Sequence, residues 1–314
     1  MDAQQVEVMK KAIILSDGKN GHLNQSIAFC KYMDLSYDIA EVRFKNRSFK
    51  SLSYLFDRVG FYTMSILDMR LKCEYDEFCH SCFENYDILV CAGSGTYYAA
   101  KTIVKKTDLK AVSMMLPHGY RYDFDIIFAQ AHDNPPKRSN IIEIPANFSF
   151  IQPLGIYKPN KRSVGIIIGG SNSYLHMSKE KLKEQLDFIK ERFKDHEIAV
   201  TTSPRTSKEI EEFIKSYHFD YEVIYSKSPI NPIPDFLAHC DTVFITSDST
   251  SMISESISFG EANIVVLPLA ATKENKFDSF ISKLEKEEYL HIFNGTIINK
   301  NKKIDFRRYL KGLK

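Results

Sequence analysis

The sequence predicts an α/β protein of two Rossmann-like, doubly wound domains facing a cleft. Three observations carry this. Apolar runs of strand length alternate with segments of helical period almost from end to end, the pattern of parallel sheets covered by helices on both faces. The alternation pauses at a stretch holding Pro145, Pro153, Gly155 and Pro159 and then restarts. The length of 314 residues exceeds one ordinary hydrophobic core, pointing to two domains of roughly 150 residues each.

Taken in order, 11–15 (KAIIL) is a β-rich run stopped by Ser16-Asp17-Gly18, and 21–33 has helical period. Residues 39–44 and 86–91 (YDILVC) read as strands, the latter ending in Ala92-Gly93-Ser94-Gly95 before the small-residue segment 96–105. Strands follow at 110–115, 124–129 and 141–144, and the polar linker 158–162 (KPNKR) closes the half. In the second half, 163–168 (SVGIII) is a strand ending at Gly169-Gly170, and Ser178 caps a helix reaching about 194. Strands at 197–201, 222–225, 242–246 and 263–267 alternate with helices at 207–217, 233–239 and 249–259. The expected division is 1–155 and 156–314.

Composition excludes much. The hydrophobic fraction of 44% and charged fraction of 26% are those of a folded globular chain, and mean hydropathy is −0.27. Six cysteines without a repeating spacing make no disulfide framework. Cys73, Cys79, His80 and Cys82 form the one local cluster, but no fourth zinc ligand stands at finger spacing, so reduced cysteines and no metal are expected. The N-terminal apolar run AIIL is too short for a secretory or membrane-spanning segment, so the expectation is cytoplasmic. Neither a Walker sequence nor a full G-x-G-x-x-G is present, which sets aside P-loop and dinucleotide readings.

Ligands of doubly wound sheets bind beyond the carboxyl ends of strands, so four post-strand turns are the candidates. After the first strand, Asp17, Lys19 and His22 crowd a glycine turn, and Asp17 or His22 can serve as general base. The plainer alternative is a turn capped by Asp17. After the third strand come Gly93, Ser94, Gly95 and Thr96. His118, His132 and Asp133 end two later strands, as acid–base or acceptor-binding groups or as structural hydrogen-bonders. The fourth turn is Thr246, Ser247, Asp248, Ser249, Thr250, Ser251 and Met252, with Glu255 one turn further in. There a buried strand empties into hydroxyls at a helix start, a pocket suited to a diphosphate, with Glu255 on ribose or sugar hydroxyls. Gly169, Gly170 and Ser171, and Ser203, Arg205 and Thr206, supply two further phosphate-type turns in the same half. Ordinary capping by Asp248 or Ser249 is the alternative.

Residues 16–25 (SDGKNGHLNQ), 124–133 (FDIIFAQAHD), 168–170 (IGG), 202–206 (TSPRT) and 243–255 (VFITSDSTSMISE) resemble, in order and spacing, the bacterial and plant "mitochondrial fission" family. Its members are usually described as nucleoside-diphosphate-sugar epimerases or glycosyltransferases, and the match spans roughly 11–270. More broadly the chain is similar to GT-B glycosyltransferases. That resemblance implies an N-terminal acceptor domain, a C-terminal donor domain with the tail possibly crossing back, a nucleotide-sugar co-substrate and no required metal or other cofactor. One departure is 92–96 (AGSGT), where the family's glycine turn would carry an arginine.

The near-zero net charge of +2 hides two basic segments. Residues 43–72 hold seven Lys/Arg against two Asp, interleaved with Phe44, Phe49, Tyr54, Phe56, Phe61 and Tyr62, and 300–314 hold seven against one. Such stretches suit an anionic membrane surface or glycan, or are solvated faces of packed helices; no nucleic-acid-reading motif accompanies them. The expected function is therefore transfer of a sugar from a nucleotide-sugar to a cell-envelope glycan or glycolipid, without a metal, at the inner membrane face. The alternatives are a nucleotide-sugar 2-epimerase on the same fold, with Asp17, Asp133 and Glu255 as its acids, and a non-catalytic membrane-associated scaffold.

Overall fold

The computed structural model describes residues 10–71, 83–271, 276–298 and 300–313. The chain divides into two compact units, one running to Phe150 and regaining the chain at Phe306, the other Ile151–Asp305.

The first unit contains β1 (Lys11–Ser16), α1 (Asn20–Tyr32), β2 (Ser36–Phe44), α2 (Arg47–Val59), β3 (Leu67–Leu71), β4 (Ile88–Cys91), α3 (Tyr97–Val104), β5 (Lys110–Ser113), β6 (Ile126–Gln130) and β7 (Ile141–Ile144). Its sheet runs β3-β2-β1-β4-β5-β6-β7. All pairings are parallel except β2 with β3, where Phe44 opposes Leu67. From β1 the chain moves outward to β2 and later returns to the other side at β4, so the strand order reverses between β1 and β4. That is the switch point, where a crevice opens for a ligand. Ile13, Leu15, Leu89 and Cys91 supply the sheet's part of a core that α3 completes with Tyr97, Tyr98 and Ile103. Burial alone pushes the Cys30 and Cys91 thiols up to about 12, so both are inert core groups.

The second unit contains β8 (Ser163–Ile168), β9 (Leu175–His176), α4 (Lys179–Arg192), β10 (Glu197–Thr202), α5 (Lys208–Lys215), β11 (Tyr221–Val223), α6 (Ile233–His239), β12 (Thr242–Thr246), α7 (Thr250–Ser258), β13 (Asn263–Leu267), β14 (Ala270–Ala271), α8 (Lys276–Lys286) and β15 (His291–Ile292). Its parallel sheet runs β11-β10-β8-β12-β13-β15, with the switch point between β8 and β12, while β14 and β9 form a small antiparallel pair. Every residue of β8, β12 and β13 is buried, as expected for central strands covered on both faces. The expected N-cap of α4 is present, Ser178 Oγ accepting from Lys181 N, and α5 is capped in the same way by Ser207 Oγ, which accepts from Ile210 N.

One boundary differs from the sequence expectation, and the structure decides two points that the sequence leaves open. The division lies at 150/151 rather than 155/156. Asp235, fully buried at the start of α6, accepts the amides of Leu154, Gly155 and Ile156 at 3.0, 2.9 and 3.1 Å, which ties that part of the linker to the second unit. The basic tail folds back into the first unit: Phe306 stacks on Phe148 with centroids 4.6 Å apart, and Leu310 is buried. Most aromatics of the basic segment are core. Phe44, Phe49, Tyr54, Phe56 and Tyr62 pack against the first unit's apolar cluster, leaving Phe61 outside.

Candidate functional site

In the first unit, β1 delivers Asp17 and the start of α1 delivers His22, one turn later. His22 Nδ1 lies 3.1 Å from both Asp17 carboxylate oxygens. Burial opposes ionisation of Asp17, but the hydrogen bond and charge of His22 and the charge of Lys19, whose Nζ is 3.8 Å away, outweigh it and hold the carboxyl below its usual range. An ionised Asp17 accepts from Nδ1–H, which leaves Nε2 as the histidine's proton acceptor. The turn after β4 closes directly onto this pair. A Cβ on Gly93, whose φ is +85°, would lie 2.2 Å from His22 Nδ1, and one on Gly95 would lie 2.7 Å from Asp17 Cβ. Only glycine allows the two switch-point turns to meet this closely.

Ser94, between those glycines, accepts a hydrogen bond from Lys50 Nζ at 2.9 Å, and its carbonyl accepts from Tyr120 OH at 3.4 Å. Thr96 is fully buried and donates to the carbonyls of Ala92 and Gly93 at 3.1 and 2.9 Å, so it shapes the turn and offers no hydroxyl to a ligand. Below it, Asp57 of α2 accepts from Lys101 Nζ, Tyr62 OH and Arg121 N, each at 2.7 Å. This buried junction fixes α2, α3 and the segment bearing His118. His118 Nε2 lies 3.6 Å and His132 Nε2 3.9 Å from Asp133 Oδ1, forming a second histidine–carboxylate group beyond β5 and β6.

In the second unit the three turns beyond β8, β10 and β12 interlock through Asp248. Its carboxylate has no exposed area. Oδ1 accepts from Thr246 Oγ1 at 2.6 Å, and Oδ2 accepts from Gly170 N at 3.1 Å and from the Arg205 guanidinium. Thr246 Oγ1 in turn accepts Gly169 N at 2.7 Å. A Cβ on Gly169 would sit 2.1 Å from Asp248 Oδ1, and one on Gly170 2.1 Å from the Arg205 carbonyl oxygen. Thr206 ties the middle turn to the first by donating to the Gly169 carbonyl at 2.6 Å. Ser203, Thr246, Ser247 and Asp248 are buried scaffolding, whereas Ser171 and Arg205 are exposed and Ser249, Thr250, Ser251, Met252 and Glu255 are half-buried.

Ser249, not Asp248, caps α7, its Oγ accepting Met252 N at 3.4 Å. No acidic residue stands in the first turn of α7. The amides of Thr250 and Ser251 meet no acceptor among the described residues. Burial pushes the Glu255 carboxyl up to about 7. The result is a partly open helix N-terminus with an adjacent arginine, the chemistry of an anion site, and an acid poised near neutrality a turn behind it.

Two groups escape the sequence reading. Lys50 is 44 residues from Ser94, and its only sequence signal is membership of the basic stretch. Asn172 donates to the Asp248 carbonyl at 3.2 Å and accepts the amides of Tyr174 and Leu175, shaping the loop beyond β8; nothing in its local sequence marks it. Among the described residues no group of three His, Cys, Asp or Glu is placed to hold a metal ion. The cluster of Cys73, Cys79, His80 and Cys82 lies outside the described residues.

A family model described as "Mitochondrial fission ELM1" matches residues 20–308. Among solved structures, a Listeria monocytogenes protein described as a UDP-N-acetylglucosamine 2-epimerase superposes with TM-score 0.50 at 12% identity, covering 96% of this chain and 86% of that one. Acinetobacter baumannii MurG superposes with TM-score 0.46 at 11% identity, covering 90% and 85%. The likeness to the Listeria structure is one of fold alone: two Rossmann-like domains in the GT-B arrangement. No curated protein matches the chain in sequence.

Proposed function

The chain belongs to the mitochondrial fission ELM1 family, and from that premise and the two turn clusters we propose a metal-independent GT-B glycosyltransferase. It moves a sugar from a nucleotide-sugar to a cell-envelope glycan or glycolipid on the cytoplasmic side of the membrane. The observation that carries this reading is the Asp17–His22 pair at the switch point of the first sheet. In an inverting transfer the acceptor O–H gives its proton to His22 Nε2 while its oxygen attacks the anomeric carbon. The bond to the diphosphate breaks with its electron pair on the departing oxygen. Ionised Asp17 holds the imidazole's orientation and offsets the charge it gains. The departing diphosphate is received in the second unit by the open amides at the start of α7 and by Arg205, with Ser171, Ser249 and Thr250 as hydroxyl donors. Glu255 faces the sugar or ribose hydroxyls. Lys50, Lys19 and Ser94 bind the acceptor, and His118, His132 and Asp133 serve as further acid–base or acceptor-binding groups of the first unit.

A thermal-shift panel of UDP-, GDP-, dTDP-, ADP- and CMP-sugars tests the reading. A ligand at about 100 times its Kd adds roughly 2.7 kcal/mol to the stability of the native state. Stabilisation by one nucleotide class names the donor, and no response to any member overturns the proposal. The near-neutral Glu255, together with Asp17, favours a second reading, a nucleotide-sugar 2-epimerase. Conversion of the stabilising nucleotide-sugar with no acceptor present selects it. Full cellular function of the Asp17→Ala/His22→Ala double variant would leave only a scaffold.

A further inference from the structure

Two glutamines of the family-like blocks take no part in the chemistry proposed above: Gln25, which ends 16–25, and Gln130, within 124–133. They stand 105 residues apart in the chain, yet Gln130 Nε2 donates to Gln25 Oε1 at 3.2 Å. Both side chains are buried, Gln25 being 3% and Gln130 1% exposed. Gln25 Nε2 donates in turn to the Gly21 carbonyl at 3.1 Å, and Gln130 Nε2 also reaches the Met114 carbonyl at 3.4 Å. Gln130 Oε1 meets no donor among the described residues. As a stabilising contact the pair is weak. Two primary amides leave water and one acceptor goes unused, which offsets what their mutual hydrogen bond contributes.

What the pair secures is geometry. α1 starts without a side-chain N-cap, and no acidic residue stands in its first turn. The usual fastenings of a helix start are therefore missing where His22 stands. Gln25 supplies one from inside the helix. The His22 N–H donates to the Lys19 carbonyl at 3.0 Å, and the carbonyl of the same Gly21–His22 peptide accepts from Gln25. A peptide is a rigid plane, so holding it at both edges fixes the backbone from which the imidazole projects. Lys19 N donates onward to Asp17 Oδ1 at 3.3 Å. The contacts thus run without a break from Asp17 through Lys19, the Gly21–His22 peptide and Gln25 to Gln130. Gln130 is the last residue of β6 and starts the turn Ala131–Asp133. Its other acceptor, Met114, gives its own N–H to the Cys91 carbonyl at 2.8 Å, just before the glycine turn that closes on His22.

We propose that Gln25 and Gln130 are positioning residues for His22: the buried amide pair registers the first turn of α1 against the ends of β5 and β6 and so fixes where the His22 imidazole points. Neither amide touches a substrate. Their effect passes through the Gly21–His22 peptide to the Nδ1–H···Asp17 contact, and it ties that contact to the turn bearing His132 and Asp133. The consequence for turnover rests on the glycosyltransferase reading; the positioning itself does not.

The test is NMR of the full chain carrying isotope-labelled histidine, at a pH where the imidazoles are neutral, with His22 assigned by its loss in His22→Ala. Wild type is expected to hold His22 mainly as the Nδ1–H tautomer. Gln130→Met, which removes the donor to Gln25, is expected to lower that population about two-fold or more. Gln25→Met/Gln130→Met replaces both amides by apolar groups of similar shape and guards against a single variant that fails to fold. It is expected to melt within about 3 °C of wild type and to show the same change at His22, with the histidines of the second unit unmoved. An unchanged His22 signature in the double variant overturns the proposal, whether or not the melting temperature falls. A signature lost only together with the fold overturns it too. Under the glycosyltransferase reading the double variant turns over about ten-fold more slowly with an unchanged acceptor KM. Failure of the nucleotide-sugar thermal shifts would remove that reading and leave the imidazole measurement standing.

Discussion

The stability of the donor-side turns is expected to hinge on Asp248, and Asp248→Asn tests this. The substitution keeps the shape but replaces one acceptor oxygen with a donor nitrogen. In the native arrangement Thr246 OH, Gly170 N–H and the Arg205 guanidinium all donate to this carboxylate. An amide can accept from one side only, so at least one buried donor faces a donor. Leaving a buried donor unsatisfied costs about 1–3 kcal/mol. Arg205, half-exposed, recovers water. The expected loss is about 2–4 kcal/mol, which for a unit of this size lowers its melting temperature by about 5–15 °C. Chemical denaturation followed by calorimetry should show the change in one of two transitions, that of the second unit. Arg205→Gln alone strips the buried carboxylate of its cation, and the double variant should lose less than the sum of the two. An Asp248→Asn protein within about 2 °C of wild type, or strict additivity, would refute the interlock.

Three further outcomes follow from the same geometry. Glu255, raised to about 7 by burial, is stabilised in its neutral form. Its contribution is present below an unfolded pKa of about 4.3 and lost as pH rises through 7, so Glu255→Gln should remove up to about 2 kcal/mol of pH dependence between pH 5 and 8 in denaturant midpoints. His22→Ala should lower turnover about 10²–10⁴-fold with folding intact, and Gly93→Ala, at φ +85° against the His22 ring, should lower both turnover and stability. Lys50→Met should raise the acceptor KM about ten-fold, the loss of one charge-assisted hydrogen bond, while the nucleotide-sugar thermal shift stays unchanged.

Much of the fold was legible because central parallel strands must be apolar on both faces. KAIIL, SVGIII and TVFIT cannot be anything but buried, and they became β1, β8 and β12. β3, reading LDMRL, was not legible. As an antiparallel edge strand its charged Asp68 and Arg70 point outward, and no apolar run announces it. The two-residue β9, β14 and β15 carry too little sequence to signal anything. Of the candidate site, the turns were legible from glycine and hydroxyl spacing, but their internal division of labour was not. Asp248 looks like a helix cap in sequence, yet its carboxylate serves a turn 78 residues away. Thr96 looks like a ligand contact and is instead a buried staple.

Local sequence thus determined which segments lie inside each sheet and which turns sit at their carboxyl ends, since burial and backbone conformation are written in residue type and spacing. Only the tertiary structure decided which of those turns meet. Strand order brings β1 against β4 and β8 against β12, so that residues distant in the chain, such as Lys50 and Ser94 or Gly170 and Asp248, share hydrogen bonds. It also decided which side of α2 faces water. A basic, aromatic stretch turned its rings inward and left Leu55, Val59 and Phe61 exposed. Whether an apolar side chain is core or surface depends on what the rest of the chain packs against it, and no local spacing records that.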